Sequence, residues 1–183
     1  MARNWRKNGG VFQDNMENDI QLLVHPNIPK PLHGLSPRTI MGEDWWNQQR
    51  KVAYKQAGYR CQACGMSSKF PLEAHEIYKI DHFLGEATFI RIVALCRDCH
   101  SYIHSGLLGT KLRKGKITVE EYNRITTRGN TLLDIAGIKA EPYLGPTPSW
   151  TKWRLIFNGK KYKPIHKSFE EWRAHYDTQG MDR

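Results

Sequence analysis

The sequence predicts an α+β fold. Two Cys-x-x-Cys turns pin a pair of strands to a helix, with helices on the flanks and a β-hairpin plus helix at the C-terminal end. Three observations predict it. Cys61/Cys64 and Cys96/Cys99 are the chain's four cysteines, and thirty-one residues separate the two pairs. The residues between them include "PLEAHEIYKI" and "ATFIRIVALC", and the β-branched run "TFIRIV" suits a strand. Asn158-Gly159 between two strand-like runs is the strongest short hairpin signal.

Taken in order, the 183 residues divide into four parts. Residues 1–42 form a polar arm, extended where "HPNIPKPLHGLSPRT" supplies four prolines. Residues 43–109 form the cysteine-pinned core. It opens on a helix, "GEDWWNQQRKVAYKQAG". Glu43 and Asp44 lie at the positive end of its dipole and Lys51 and Lys55 near the negative end. Trp45, Trp46, Val52, Ala53 and Ala57 recur at helical spacing, and Gly58 is a stop signal. Such tryptophans belong to a core more readily than to a base-stacking surface. After the two strands, Cys96 and Cys99 open a helix, "RDCHSYIHSGLL", ended by Gly106 or Gly109. Residues 110–140 form a helical extension, with Thr118 three before Glu121 as a capping box and Gly137 as its end. Residues 141–183 hold a Pro-rich linker, a basic hairpin and a last helix, "FEEWRAHYDTQ", capped by Ser168 with Glu171.

Four thiolates in two Cys-x-x-Cys pairs are the soft donor set of tetrahedral zinc. A redox role needs a thioredoxin-like βαβ setting, which is missing. Cys61, Cys64, Cys96 and Cys99 are therefore expected to hold a structural Zn²⁺. His100 follows Cys99, and His104 lies four residues on, so both share a helix face on which a histidine pair can grip an ion. His75 and Glu76 are neighbours on the first strand, so a regular strand turns only one of them toward His100. Alternatively these histidines hydrogen-bond to one another in a small polar interior.

At "AGYRCQACG", "LEAHEI" and "ALCRDCHSYIH", roughly Trp45 to Gly106, the chain resembles the zinc-containing HNH endonucleases. The resemblance implies a ββα-metal core of treble-clef-like build and hydrolysis of DNA phosphodiester bonds. It also implies a phage or mobile-element setting. In the register fixed by Leu72, Ala74 and Ile77, His75 falls on the family's metal-ligand position and Glu76 on its general-base position. His100 falls on the helix ligand position, with His104 as a second ligand one turn later. The other register makes His75 the base and leaves Ala74 where a ligand is needed. The chain departs from the family twice: Glu76 stands where a histidine base is usual, and Arg91 where an asparagine is usual. The implied second metal is a divalent ion such as Mg²⁺ or Mn²⁺.

The formal net charge is +10, and residues 101–183 carry fifteen basic against eight acidic side chains. A basic surface attracts polyanions, nucleic acid first, although charge also serves solubility. Lys160, Lys161 and Lys163, interleaved with aromatics, are the candidate DNA contacts. A non-catalytic zinc module that binds DNA or an acidic protein partner is the competing expectation. No apolar run spans a bilayer and "MARNWRKNGGVFQDNMENDI" has no apolar core, so neither a membrane nor a secretory signal is expected and a cytoplasmic location follows.

Overall fold

The computed structural model describes residues 18–67 and 70–178. The first seventeen residues of the expected arm, and Gln179 at the expected end of the last helix, lie outside them. The fold is mixed α+β: a four-stranded sheet with flanking helices. Among the described residues, no helix is long and apolar enough to cross a membrane.

The central pair is β1 (Glu73–Asp81) and β2 (Glu86–Leu95), antiparallel, with Glu73 opposite Leu95 and Asp81 opposite Glu86. The register slips between Ile77 and Tyr78. Such a bulge re-aims side chains and sharpens local twist. Asp81 closes the turn, its carboxylate accepting from the Leu84 N–H at 2.8 Å.

Two helices precede the strands, α1 (Pro37–Met41) and α2 (Glu43–Gln56). Trp46, Ala53 and Ala57 are buried, but Val52 is 48% exposed and belongs to the solvent face. Trp45 is half-buried, its ring edge-on to Phe157 at 5.7 Å.

Cys96 caps α3 (Arg97–Ile103), and α4 (Ser105–Arg113) follows at once. The expected stop at Gly106 or Gly109 does not occur. The chain instead bends at His104 (φ −90°, ψ 47°) and stays helical through both glycines. A mid-helix glycine costs about 1 kcal/mol relative to alanine. Burial of Ile103 and Leu108 on this stretch offsets that cost. α5 (Val119–Ala136) begins where the Thr118 hydroxyl accepts from the Glu121 N–H at 3.1 Å, and ends at Gly137 in the left-handed conformation.

The C-terminal hairpin, β3 (Arg154–Phe157) and β4 (Lys160–Tyr162), turns at Asn158 and Gly159. Both have positive φ (49° and 71°), as a tight hairpin turn requires. The hairpin extends the main sheet. β3 lies parallel to β2, pairing Glu86–Thr88 with Arg154–Ile156, to give the order β1-β2-β3-β4. Nothing local encodes that pairing, because β2 and β3 are joined by three helices and a linker. α6 (Phe169–Thr178) follows.

Among the described residues, many of the buried apolar side chains gather in two small cores. One gathers Leu22, Leu23, Val93, Leu95, Ile103 and Leu133 around the cysteines. The other gathers Leu32, Tyr78, Ala87, Trp153 and Leu155. Leu22, Leu23 and Leu32 come from the N-terminal segment, which forms 3₁₀ turns at Ile20–Val24 and Lys30–Leu32 rather than an extended arm. The Asp19 N–H donates to the Gln62 carbonyl at 2.8 Å, fixing the segment beside the first cysteine turn.

At Gly129 in α5, an added Cβ would lie 2.1–2.6 Å from ring carbons of Tyr102. Gly129→Ala is therefore expected to destabilise the fold by about 1–3 kcal/mol, the usual cost of overpacking, despite alanine's higher helix propensity. Urea unfolding checks this, and a midpoint equal to or above wild type would contradict it.

Candidate metal centres

The two cysteine turns meet where α2, β2 and α3 converge. Cys61 follows the helix stop, and the Gly65 N–H closes the first turn on the Cys61 carbonyl at 2.7 Å. Cys96 and Cys99 lie at the start of α3. All four are free thiols, and one sulfur from each falls within 4.8 Å of the others. The Cys64–Cys96 separation is 4.0 Å. Tetrahedral zinc with Zn–S bonds of about 2.3 Å sets sulfurs roughly 3.8 Å apart, so the set fits the ion. The thiols share their protons unevenly. Hydrogen bonds from Cys61, Cys96 and Cys99 draw Cys64 far below the ordinary thiol range, and contacts with Cys61, Cys64 and Cys96 push Cys99 far above it. Deprotonating all four is what a metal cation does. Arg128 of α5 donates to Cys64 Sγ at 3.3 Å and to Met66 Sδ at 3.0 Å, placing positive charge beside the thiolates.

A second cluster stands close by. His75 on β1 meets His100 and His104 of the α3–α4 bend, and one nitrogen from each lies within 4.8 Å of the others. The His75 ring centroid is 5.3 Å from that of His100 and 5.0 Å from that of His104. The His104 N–H still bonds to the His100 carbonyl at 3.2 Å, so the bend preserves the i, i+4 relation.

The surrounding hydrogen bonds assign tautomers. Glu73 lies two residues before His75, and its carboxylate accepts from His100 Nδ1–H, leaving the imidazole lone pair on Nε2. Asn27 Oδ1 lies 3.0 Å from His104 Nδ1 and can only accept, so the His104 lone pair also sits on Nε2. Burial, then the neighbouring imidazoles, pushes His75 down to about 3, so it stays neutral near pH 7 and able to ligate. The hydrogen bond to His100 holds Glu73 below the usual carboxylate range. A histidine whose second nitrogen is held by an oxygen acceptor is the usual form of a metal ligand.

Glu76 is not one of the three donors. It borders a cavity of about 300 Å³, with His75, Tyr78, His104, His25 and His33 but not His100 on its lining. Burial raises its carboxyl above the usual range. The expected lysines sit on the far hairpin. Lys161 is paired with Glu86 at 2.6 Å, while Lys160 and Lys163 are exposed. Arg91 is exposed and pairs with Asp19 at 3.6 Å.

Three site residues escape a reading of motifs. Glu73 had a signal, since residues i and i+2 of a strand share a face. His25 and Asn27 had none, because they reach the centre from the N-terminal segment across 50 and 77 positions of sequence.

Comparison of the chain with family models, with curated proteins and with solved structures finds no match.

Proposed function

We propose that this is a metal-binding protein that engages DNA, and that its histidine centre makes it a metal-dependent phosphodiester hydrolase of the HNH type. The observation that carries the reading is the gathering of His75, His100 and His104 beside a cysteine-pinned ββα unit, with a half-buried carboxyl, Glu76, on the cavity that His75 and His104 line.

The three donors are all imidazole nitrogens, with lone pairs oriented by Glu73 and Asn27 for two of them. Such a set suits zinc, nickel or iron-like ions better than Mg²⁺, which prefers oxygen. When bound, a divalent ion here supplies stabilisation of charge on a phosphate oxygen and on the leaving oxygen. The chain's own part is threefold. His75, His100 and His104 present imidazole nitrogens to the ion. Glu76, its pKa raised by burial toward working pH, accepts the proton of the attacking water. Basic side chains on the flanks, Lys160 and Lys163 among them, hold the DNA backbone, which positions without reading sequence.

The second reading is a non-catalytic module that binds DNA or an acidic protein surface. The two clusters back it more directly, since it asks only that they hold ions beside a basic surface. The hydrolase reading asks in addition that Glu76 act on water. The unit's likeness to the HNH pattern and the open cavity beside the histidines support that extra step.

His100→Ala separates the two. It is expected to keep the cysteine-bound zinc and salt-sensitive DNA binding while abolishing cleavage supported by Zn²⁺, Mn²⁺, Ni²⁺ or Co²⁺. A wild-type protein that binds DNA and cuts none with any of these ions is the binding module instead.

A further inference from the structure

We propose that His25 is a positioning residue of the histidine centre, coupling the Tyr78 backbone to His75 and selecting which His75 nitrogen faces the ion. The inference rests on the reading that His75, His100 and His104 hold a divalent ion. It adds a part that neither the cysteine framework nor the HNH pattern supplies.

His25 Nδ1 lies 3.4 Å from His75 Nε2, and the rings meet edge to face, centroids 5.4 Å apart at 87°. Its other nitrogen, Nε2, sits 3.1 Å from the Tyr78 carbonyl and 3.0 Å from the Tyr78 N–H. The register slip between Ile77 and Tyr78 falls at this position. The ring is held in place from the other side too. His25 ends the 3₁₀ turn Ile20–Val24, its N–H bonding to the Leu22 carbonyl at 3.1 Å, and Leu22 and Leu23 are buried in the core around the cysteines.

The proton positions follow from valence. A neutral imidazole has one N–H and one lone pair. If His75 ligates, its lone pair is spent on the ion, and its remaining N–H needs an acceptor. His25 Nδ1 accepts from His75 Nε2–H only when His25 carries its own proton on Nε2, which the Tyr78 carbonyl then receives. That chain leaves His75 Nδ1 for the ion. The opposite tautomer, with the Tyr78 N–H donating to His25 Nε2, makes His25 Nδ1 the donor toward His75 Nε2. It leaves no lone pair on His75 Nδ1, so it belongs to the ion-free centre. The two Tyr78 contacts therefore serve two states of one relay.

The pattern is then complete. Glu73 orients His100, Asn27 orients His104 and His25 orients His75. Two of these three partners lie within His25–Asn27, so the N-terminal segment is part of the centre.

The experiment titrates Co²⁺ into the full chain with its cysteine site preloaded with Zn²⁺, followed by visible absorbance. His25→Ala is expected to weaken Co²⁺ binding 10–100-fold, the usual cost of losing an outer partner, with thermal melting and cysteine zinc unchanged. His25→Gln, whose amide oxygen can accept the same N–H, is expected to recover part of that affinity with the wild-type band pattern. Unchanged affinity in both variants overturns the proposal. An altered Co²⁺ band pattern in His25→Gln, with no recovery, also overturns it by making His25 a direct ligand, since nitrogens on one tetrahedral ion sit about 3.3 Å apart. If wild type takes up no Co²⁺, the metal reading of the three histidines fails first and this inference falls with it.

Discussion

Cys96→Ser is expected to strip the bound zinc and abolish cooperative unfolding of the central unit. Cys96 is buried, caps α3 and lies 4.0 Å from Cys64, so it joins the two halves of the site. A structural zinc site contributes roughly 10–16 kcal/mol of apparent binding free energy, as much as a typical domain's whole stability of about 5–15 kcal/mol. The two cores here are small, and the larger one is built around the cysteines themselves. Little apolar contact remains to hold β2 against α3 once the ion goes. Metal content and a circular-dichroism melt check the prediction together. Complete metal loss with an unchanged melt would show that the zinc is not structural.

Glu76→Gln is expected to lower the cleavage rate by about 10²–10⁴, the usual worth of a general base. The substitution keeps the side chain's shape and removes its proton acceptor. Its pH behaviour has a definite sign. Burial raises the Glu76 pKa, so wild-type cleavage falls as pH drops through that raised value, and the variant loses this acid limb. The folded-state pKa lies above the unfolded one. The contribution of Glu76 to stability is therefore fully present below the unfolded carboxylate value and lost as pH rises through the folded value. At neutral pH the variant should be at least as stable as wild type, though much slower. His75→Ala should be inactive for a different reason, loss of the second ion. If Glu76→Gln cuts normally, and His75→Ala keeps the ion but is dead, then His75 is the base and the register over Ala74–Glu76 is the other one.

The cysteine set is legible in the sequence because each pair is local and its donor type is selective for metal. His100 and His104 are legible for the same reason, their spacing being a property of one helical turn. His75 needs more, since alternation says only that His75 and Glu76 face opposite ways; the fold turns His75 to the helix and leaves Glu76 on the cavity edge. The rest is lost to distance or to competing local rules. Gly106 and Gly109 carry a stop signal that packing overrides. Val52 fits the apolar phase of α2 but falls on its solvent side, where it is half exposed. The parallel β2–β3 pairing joins Glu86 to Arg154 across three intervening helices. Proline spacing in the N-terminal segment suggests an extended arm. Leu22, Leu23 and Leu32 instead bury it, and that burial brings His25 and Asn27 to the centre.

The central claim is that the chain holds two distinct ions, one on thiolates and one on imidazoles. Elemental analysis of purified protein, equilibrated with excess Zn²⁺ and then dialysed, tests it most directly. Two equivalents per chain are expected in wild type. One should be lost from His100→Ala with the fold intact, and the other only from the cysteine variants with the fold destroyed. A single equivalent in wild type, unchanged in His100→Ala, would contradict the account and leave the histidines as a hydrogen-bonded polar interior.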